Sequence, residues 1–412
     1  MPPVTRFGAE SRAGVPRDLF AFQRQSDELE SRFRQLKRRY DQAKAAGRAG
    51  PRRRQPNRVQ YGRITKACEA FFQKSRPKGM TNPGTWCYQI SVLQCLLHLP
   101  EYCALLQCIH KDCPDAGADC AACEVKEMAR DYWSAGTTES ISLVHGKLNN
   151  ALIQMFPAND TRLGMALHYD EHCCPFDFWQ IAVPEQFRGG PMVRGSYPVN
   201  EDASAVNKAF QVVRSNYRDC QFCHRVTERE PQPCDGLQFS LEYRDGRPRP
   251  QVLIDRIQSD FNDSTTRPPC GCAGARDNNV EEQQDVWRLR TCPQILVLRL
   301  NRFVMEDWDK GGEQRKIDDE VEYDEHLDLS QFAENNNETI RYRLDGVVSQ
   351  RGDVEGGHYI SHIRKPNGTG FLEFDDSQVI SITDGTIQDL RHPWKLEDNE
   401  GFTPYVLVYS RV

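Results

Sequence analysis

Cys87 stands in Thr81-Asn82-Pro83-Gly84-Thr85-Trp86-Cys87-Tyr88, a turn-forming stretch directly ahead of an apolar segment, 88–99, that reads as a helix stopped by Pro100. A thiol at a helix N-terminus meets the positive end of the helix dipole and unpaired N–H groups, and both favour the thiolate, the nucleophilic form. Taken alone, such a cysteine is more often a packing residue. The C-terminal part of the chain changes that balance. Gly356-Gly357-His358-Tyr359-Ile360-Ser361 opens a strand, Pro366-Asn367-Gly368-Thr369-Gly370 signals a turn, and Phe371-Leu372-Glu373-Phe374-Asp375-Asp376 returns. A hairpin turning about Pro366-Asn367 sets His358 opposite Asp375 on one face, whereas a longer loop would slip that register. A carboxylate there accepts the imidazole N–H, fixes its tautomer and supports the imidazolium. The three residue types together are the parts of a thiol hydrolase, with Cys87 as nucleophile, His358 as general base and Asp375 as orienter. Acyl transfer to sulfur also creates an oxyanion that needs preorganised donors. Asn82, five residues before Cys87, can offer its side-chain amide, and the Cys87 backbone N–H is a second donor. A turn role for Asn82 before Pro83 is compatible with this.

The chain has 412 residues, 38% hydrophobic and 27% charged, as for a soluble globular protein with two or three domains or one large domain with insertions. No apolar run is long enough to span a bilayer, and the start, MPPVTRFGAE, has no apolar signal-like region. Sixteen cysteines in a chain expected to be cytoplasmic and/or nuclear then point to metal ligands, a catalytic thiol or buried packing rather than to a disulfide scaffold. The net charge of −6 conceals an asymmetry: residues 1–77 hold 19 Lys+Arg against 7 Asp+Glu, leaving 34 against 52 in the remainder. The acidic remainder suits a basic ligand. Contact with nucleic acid is expected only through the basic segment, and no contact with membrane is expected.

The boundaries follow composition. Residues 1–77 read as a basic helical and linker extension, with a helix over 26–46 capped by Ser26 and a linker around 50–56. Residues 78–412 read as one mixed α+β catalytic domain. Within it 201–291 is rich in cysteine, proline and polar residues, as a metal-tied insertion would be. Strand-like runs follow at 295–300, 341–348, 358–364, 371–374 and 405–409.

The cysteines fall into two sets. Cys220-Gln221-Phe222-Cys223 is a knuckle-type pair, and Cys270-Gly271-Cys272 supplies two further thiols, enough for a closed tetrahedral zinc site. His224 and Cys234 are reserve ligands. His110, Cys113, Cys120 and Cys123 form a second candidate set, with Cys103 and Cys108 near enough to compete. Neither set includes Cys87, so the expected Zn2+ is structural. Unliganded buried thiols are the plainer reading of both.

Residues 82–97 resemble the cysteine box of the ubiquitin-specific proteases, papain-like cysteine deubiquitinases. Residues 356–363 with Phe374-Asp375-Asp376 resemble the family's histidine box. Leu298-Arg299-Leu300-Asn301-Arg302-Phe303, then Lys316-Ile317 and Leu327-Asp328-Leu329, are similar to the strand region between the boxes, and Thr403-Pro404-Tyr405-Val406-Leu407-Val408-Tyr409 to its final strand. The resemblance implies a papain-like fold with a thumb at about 78–200, fingers with a zinc-tied insertion at about 201–292, and a palm at about 293–412. It implies ubiquitin and ubiquitinated proteins as partners, and hydrolysis of the (iso)peptide bond after the C-terminal glycine of ubiquitin. A protease for another diglycine-tailed modifier, or an inactive ubiquitin-binding scaffold, are the alternatives. It assigns substrate contact to Asp177, Gly357 and Tyr359, and zinc to both ligand sets. The chain departs from the family at Ile90, where Asn is usual, at Phe371, where Trp is usual, and at Cys174, which replaces the first acid of a tail-binding motif.

Overall fold

The computed structural model describes residues 58–109, 120–134, 138–155, 175–182, 201–219, 226–228, 231–242, 250–262, 272, 285–305, 314–335, 337–353, 356–366, 368–382 and 401–412. The chain divides into two compact units, 1–55 and 56–412. The helix expected over 26–46 and the basic linker around 50–56 lie outside the described residues.

The helices are α1 (Arg58–Phe72), α2 (Cys87–Leu97), α3 (Pro100–Cys108), α4 (Ala121–Trp133), α5 (Thr138–Met155), α6 (Pro175–Ala182), α7 (Glu201–Phe210) and α8 (Leu253–Phe261). The strands begin with β1 (Val212–Asp219), β2 (Val226–Glu228), β3 (Gln232–Cys234), β4 (Leu237–Ser240), β5 (Gln251–Val252) and β6 (Asp285–Thr291). They continue with β7 (Ile295–Asn301), β8 (Phe303–Met305), β9 (Gln314–Lys316), β10 (Val321–Glu322) and β11 (His326–Asp328). The last are β12 (Arg341–Gly352), β13 (Gly357–Arg364), β14 (Phe371–Asp375), β15 (Gln378–Ile382) and β16 (Thr403–Arg411). The fold is mixed α and β. None of the described helices is long and apolar enough to cross a membrane.

One large sheet dominates, in the order β15-β14-β13-β12-β16-β7-β4, with β11 paired to β12. All its pairings are antiparallel except β4 with β7. Both faces are covered, which is why β7 opens on the apolar run Ile295–Leu298 rather than an alternation. Ile295 and Val297 face a core shared with α2–α7, while Leu296, Leu298 and Leu300 face a second core that includes Leu253, Ile257 and Phe261 of α8. A second sheet joins β2, β1, β3 and β6, with β6 alongside β1.

Three sequence expectations change. Pro100 does not merely stop a helix: it occupies the first turn of α3, where its missing N–H costs nothing. The stretch 201–291 is not wholly an insertion. α7 buries Val206 and Phe210 in the helical core, and β4 adds a strand to the main sheet. The segment 1–77 is not wholly separate from the rest, because α1 belongs to the larger unit. Cys68 and Phe72 lie in its core, and the Phe72 ring stacks on Trp133 with centroids 4.0 Å apart. Sequence patterning missed this because α1 shows only a narrow apolar stripe amid charges.

Phe72→Ala should therefore destabilise the protein by about 3 kcal/mol, whereas Phe71→Ala should stay within about 0.5 kcal/mol. Phe71 is 49% exposed. Chemical denaturation of the two variants checks this, and equal effects would place α1 outside the folded unit.

Candidate active site

All eleven residues of α2 are buried. Cys87 is its first residue, so the thiol stands where backbone N–H groups have no partner within the helix. No side chain caps this end. The turn ahead of it is instead organised by Asn82, whose Oδ1 accepts N–H bonds from Gly84 and Trp86, both at 3.1 Å.

His358 lies at the start of β13. Its Nε2 donates to Asp375 Oδ1 at 2.6 Å, and Cys87 also hydrogen-bonds its ring. With Nε2 committed to the carboxylate, Nδ1 is the atom left for the sulfur. The Asp375 bond, then the Cys87 bond, push the His358 pKa up to about 10 against the opposing effect of burial. Its bond to His358 holds Asp375 below the usual carboxylate range.

The pair forms in a register other than the expected one. Ser361 pairs with Phe374 and His362 with Glu373, an offset that would set Ile360, not His358, across from Asp375. The hairpin closes with Lys365 N–H donating to Gly370 O, so its loop is longer than a turn about Pro366-Asn367 allows. The shift is two residues, and an even shift keeps side chains on their original face. His358 and Asp375 therefore meet diagonally across the strands rather than face to face. His362 and Glu373, directly opposed and buried, join at 3.0 Å and hold this register.

Asp376 is the site residue that sequence reasoning did not single out. It follows β14 in a two-residue turn to β15 and has φ 51°, a left-handed value that Asp tolerates better than most residues. Its Oδ2 accepts the Asn82 amide Nδ2–H at 3.0 Å, and its carbonyl accepts the Met80 N–H at 2.8 Å. Burial raises its pKa. The signal was the repeated aspartate of Asp375-Asp376. Gly79 seats the same segment, since a Cβ there would stand 2.2 Å from the Ser377 carbonyl oxygen. His358, Asp375 and Asp376 offer donor atoms within 4.8 Å of one another. These groups are already committed to Cys87, to each other and to Asn82, so the cluster reads as a hydrogen-bonded chain rather than a metal site.

Of the expected substrate contacts, Gly357 lies against β12, where a Cβ would fall 2.3 Å from the Arg351 carbonyl oxygen. Tyr359 is 7% exposed and packs 6.0 Å from the Tyr405 ring. The Asp177 side chain lies outside the described residues, as do Cys220, Cys223, Cys270, His110 and Cys113. Among the reserve ligands, Cys103 is buried with its Sγ–H donated to Leu97 O at 3.4 Å, and burial pushes Cys234 up to about 11. Of the three departures, Ile90 and Phe371 are buried core residues, and Cys174 lies outside the described residues.

A family model described as ubiquitin carboxyl-terminal hydrolase matches residues 78–409. Ubiquitin carboxyl-terminal hydrolase 8 of Saccharomyces cerevisiae is 25% identical over 340 residues, 74% of this chain and 67% of the relative. A putative ubiquitin carboxyl-terminal hydrolase 11 of Arabidopsis thaliana is 30% identical over 144 residues, 34% of this chain and 14% of that much longer relative. Among solved structures, the SAGA DUB module of Ubp8, Sgf11, Sus1 and Sgf73 bound to monoubiquitin is similar with a TM-score of 0.65 at 20% sequence identity, over 82% of this chain and 70% of that one. The module bound to ubiquitin aldehyde gives 0.61 at 20%, over 81% and 69%.

A His358 proton bound more tightly in the folded state adds stability that is complete below the ordinary histidine value of 6.5 and is lost as pH rises toward about 10. Asp375→Asn removes the principal cause of the shift. NMR titration of the His358 ring should show its pKa falling by about one unit or more in that variant. An unchanged titration would mean that Asp375 does not set the protonation of His358.

Proposed function

The chain belongs to the ubiquitin carboxyl-terminal hydrolase family and is a thiol-dependent deubiquitinase, and from that premise we propose which of its residues carry the reaction. The observation that supports the assignment is the hydrogen-bonded series Cys87, His358, Asp375 at the N-terminus of a buried helix. Cys87 Sγ attacks the carbonyl carbon of the C-terminal glycine of ubiquitin. The oxyanion that forms takes hydrogen bonds from the Cys87 backbone N–H and from the second amide hydrogen of Asn82, the first being held by Asp376. His358 then gives its proton to the departing lysine amine, leaving a thioester on Cys87. Water, deprotonated by His358, attacks the thioester carbon and releases ubiquitin with a free carboxylate, and sulfur recovers the proton. Asp375 keeps the ring oriented and its charge compensated throughout. The acidic balance of 78–412 supports a basic tail as the ligand.

Fingers, palm and thumb belong to the same proposal. The sheet of β1, β2, β3 and β6 is assigned to the fingers, the main sheet to the palm, and α2–α6 to the thumb. Substrate contact by Asp177, Gly357 and Tyr359 is proposed with it, as is a location in the cytoplasm or nucleus. Zinc would be held by Cys220, Cys223, Cys270 and Cys272, and by His110, Cys113, Cys120 and Cys123. Two features fit it. Arg218 of β1 pairs with Asp285 of β6, so β1 ends where β6 begins; in sequence Cys220 directly follows β1 and the 270–272 pair precedes β6. Cys120 is the N-cap of α4 and Cys123 lies in its first turn, so the two thiols share one end of a helix. Zinc when bound supplies a closed tetrahedral tie for these segments.

Ubiquitin bearing a C-terminal electrophile should add covalently to the wild-type protein and not to Cys87→Ala. His358→Ala should be nearly as damaging, and Asp375→Ala should keep partial activity. Labelling that survives in Cys87→Ala moves the nucleophile elsewhere. Elemental analysis should find about two zinc ions per chain by the four-ligand rule, and Cys220→Ser should lose one while Cys87 still reacts with a small alkylating agent. Unchanged zinc in Cys220→Ser overturns the fingertip site.

A further inference from the structure

Asn82 lies on a stretch with no regular secondary structure, 76–82, so no helix or strand ladder fixes its position. Its C-terminal half is held by the turn at Asp376 and Ser377. Its other end is held by Lys78. The Lys78 ammonium donates to the carbonyls of Tyr132 at 2.6 Å, Ser134 at 2.7 Å and Asp131 at 3.4 Å. These close α4, where carbonyls lack partners within the helix and the dipole is negative.

The backbone of the same residue is fixed as well. Its N–H donates to Tyr132 Oη at 3.0 Å, and its carbonyl accepts from Tyr132 Oη at 2.6 Å and from Gln94 Nε2 at 2.9 Å. Gln94 lies on α2, the helix that begins with Cys87. The Tyr132 ring stands edge-on to His98 at 5.3 Å, and His98 is 4.9 Å from Phe374, the residue before Asp375. One lysine thus joins the segment bearing Asn82 to the end of α4 and the middle of α2, in a cluster that borders β14. A lysine that only capped a helix would need none of its backbone contacts.

We propose that Lys78 is a positioning residue for the hydrolysis, fixing where the Asn82 amide stands relative to Cys87 by clamping residues 78–82 to the C-terminal end of α4. This rests on Cys87 as nucleophile and Asn82 as oxyanion donor. Lys78 touches no reacting atom, and its effect passes through Asn82.

The test uses the full chain, ubiquitin with a C-terminal amide fluorophore, and iodoacetamide as a second reagent for Cys87. Lys78→Met should lower kcat about tenfold with KM within about twofold, because a displaced donor harms the transition state rather than binding. Alkylation by iodoacetamide forms no oxyanion and should be unchanged. Lys78→Arg should restore most of kcat, since a guanidinium also presents several donors to the same carbonyls. In an Asn82→Ala background, Lys78→Met should cost less than about twofold more. Should Lys78→Met melt before assay, Tyr132→Phe, which deletes one hydroxyl, carries the same comparison at about threefold. Three results overturn the proposal: kcat unchanged in Lys78→Met, a penalty that multiplies fully with Asn82→Ala, or an alkylation rate that falls in step with kcat. Full kcat in Asn82→Ala beside a dead Cys87→Ala would instead remove the oxyanion reading of Asn82, and this proposal with it.

Discussion

A helix with every residue buried must be enclosed on every side, and α2 is such a helix. Leu93, Leu96 and Leu97 are at most 1% exposed, and the polar residues among them, Gln89 and Gln94, are fully buried as well. The chain meets this demand by bringing β12, β13 and β14 from its far end against the helix, with α3 and α6 against other sides. The first residue of α2 then stands beside the first residues of β13. Cys87 and His358, remote in sequence, become neighbours as a consequence of burying one helix. Within the same packing Gln89 meets Asn149 and His145, and Gln94 Nε2 donates to the Lys78 carbonyl, so enclosure and polar pairing are met by the same residues.

The dipeptide Asp375-Asp376 then divides the polar work. Asp375 ends a strand and faces a ring that can carry a positive charge, so its carboxylate is favoured. Asp376 sits in a left-handed turn, more deeply covered and facing a neutral amide, so its charge is disfavoured. Two identical side chains, adjacent in sequence, differ because one is paired with a cation and the other is not. Through them one strand end orients both the base and the proposed oxyanion donor. A small displacement of that strand end would disturb both, which gives the buried His362–Glu373 pair a purpose close to the site. Such a pair adds little net stability, but losing one partner leaves the other buried and unmatched, so it opposes a slip of register.

Much of this was legible in the sequence. Cys87 before an apolar run, His358 and Asp375 across a turn, and the strands β7, β12, β13, β14 and β16 all rest on side-chain patterns, which a sequence displays directly. The register of β13 with β14 was misjudged because turn residues report where a chain can bend, not how many residues the loop takes. The face survived that error because pleating has a period of two. α1 and α7 were assigned outside the core because their surfaces are mostly charged or polar, and a few buried residues among them, such as Phe72 and Phe210, leave a weak imprint on composition.

A different kind of contact leaves almost no imprint. Arg302 is fully buried, yet its guanidinium meets no carboxylate among its hydrogen bonds. It donates to the backbone carbonyls of Pro404 at 2.5 Å and of Ile317 and Asp319 at 2.8 Å each, and burial pulls its pKa down to about 10. Lys365 reaches the carbonyl of Ile382 and Arg364 that of Leu344, just as Lys78 reaches the end of α4. In each case the side chain of a cation is matched to backbone carbonyls of another segment. Every residue has a carbonyl, so the acceptor carries no residue type by which a sequence could announce it. A histidine and an aspartate on a hairpin can be matched on paper, whereas a lysine and a helix end cannot. Residues that do chemistry are therefore more visible in this sequence than residues that hold them in place, and the irregular approach to Cys87 is where that difference has consequences for catalysis.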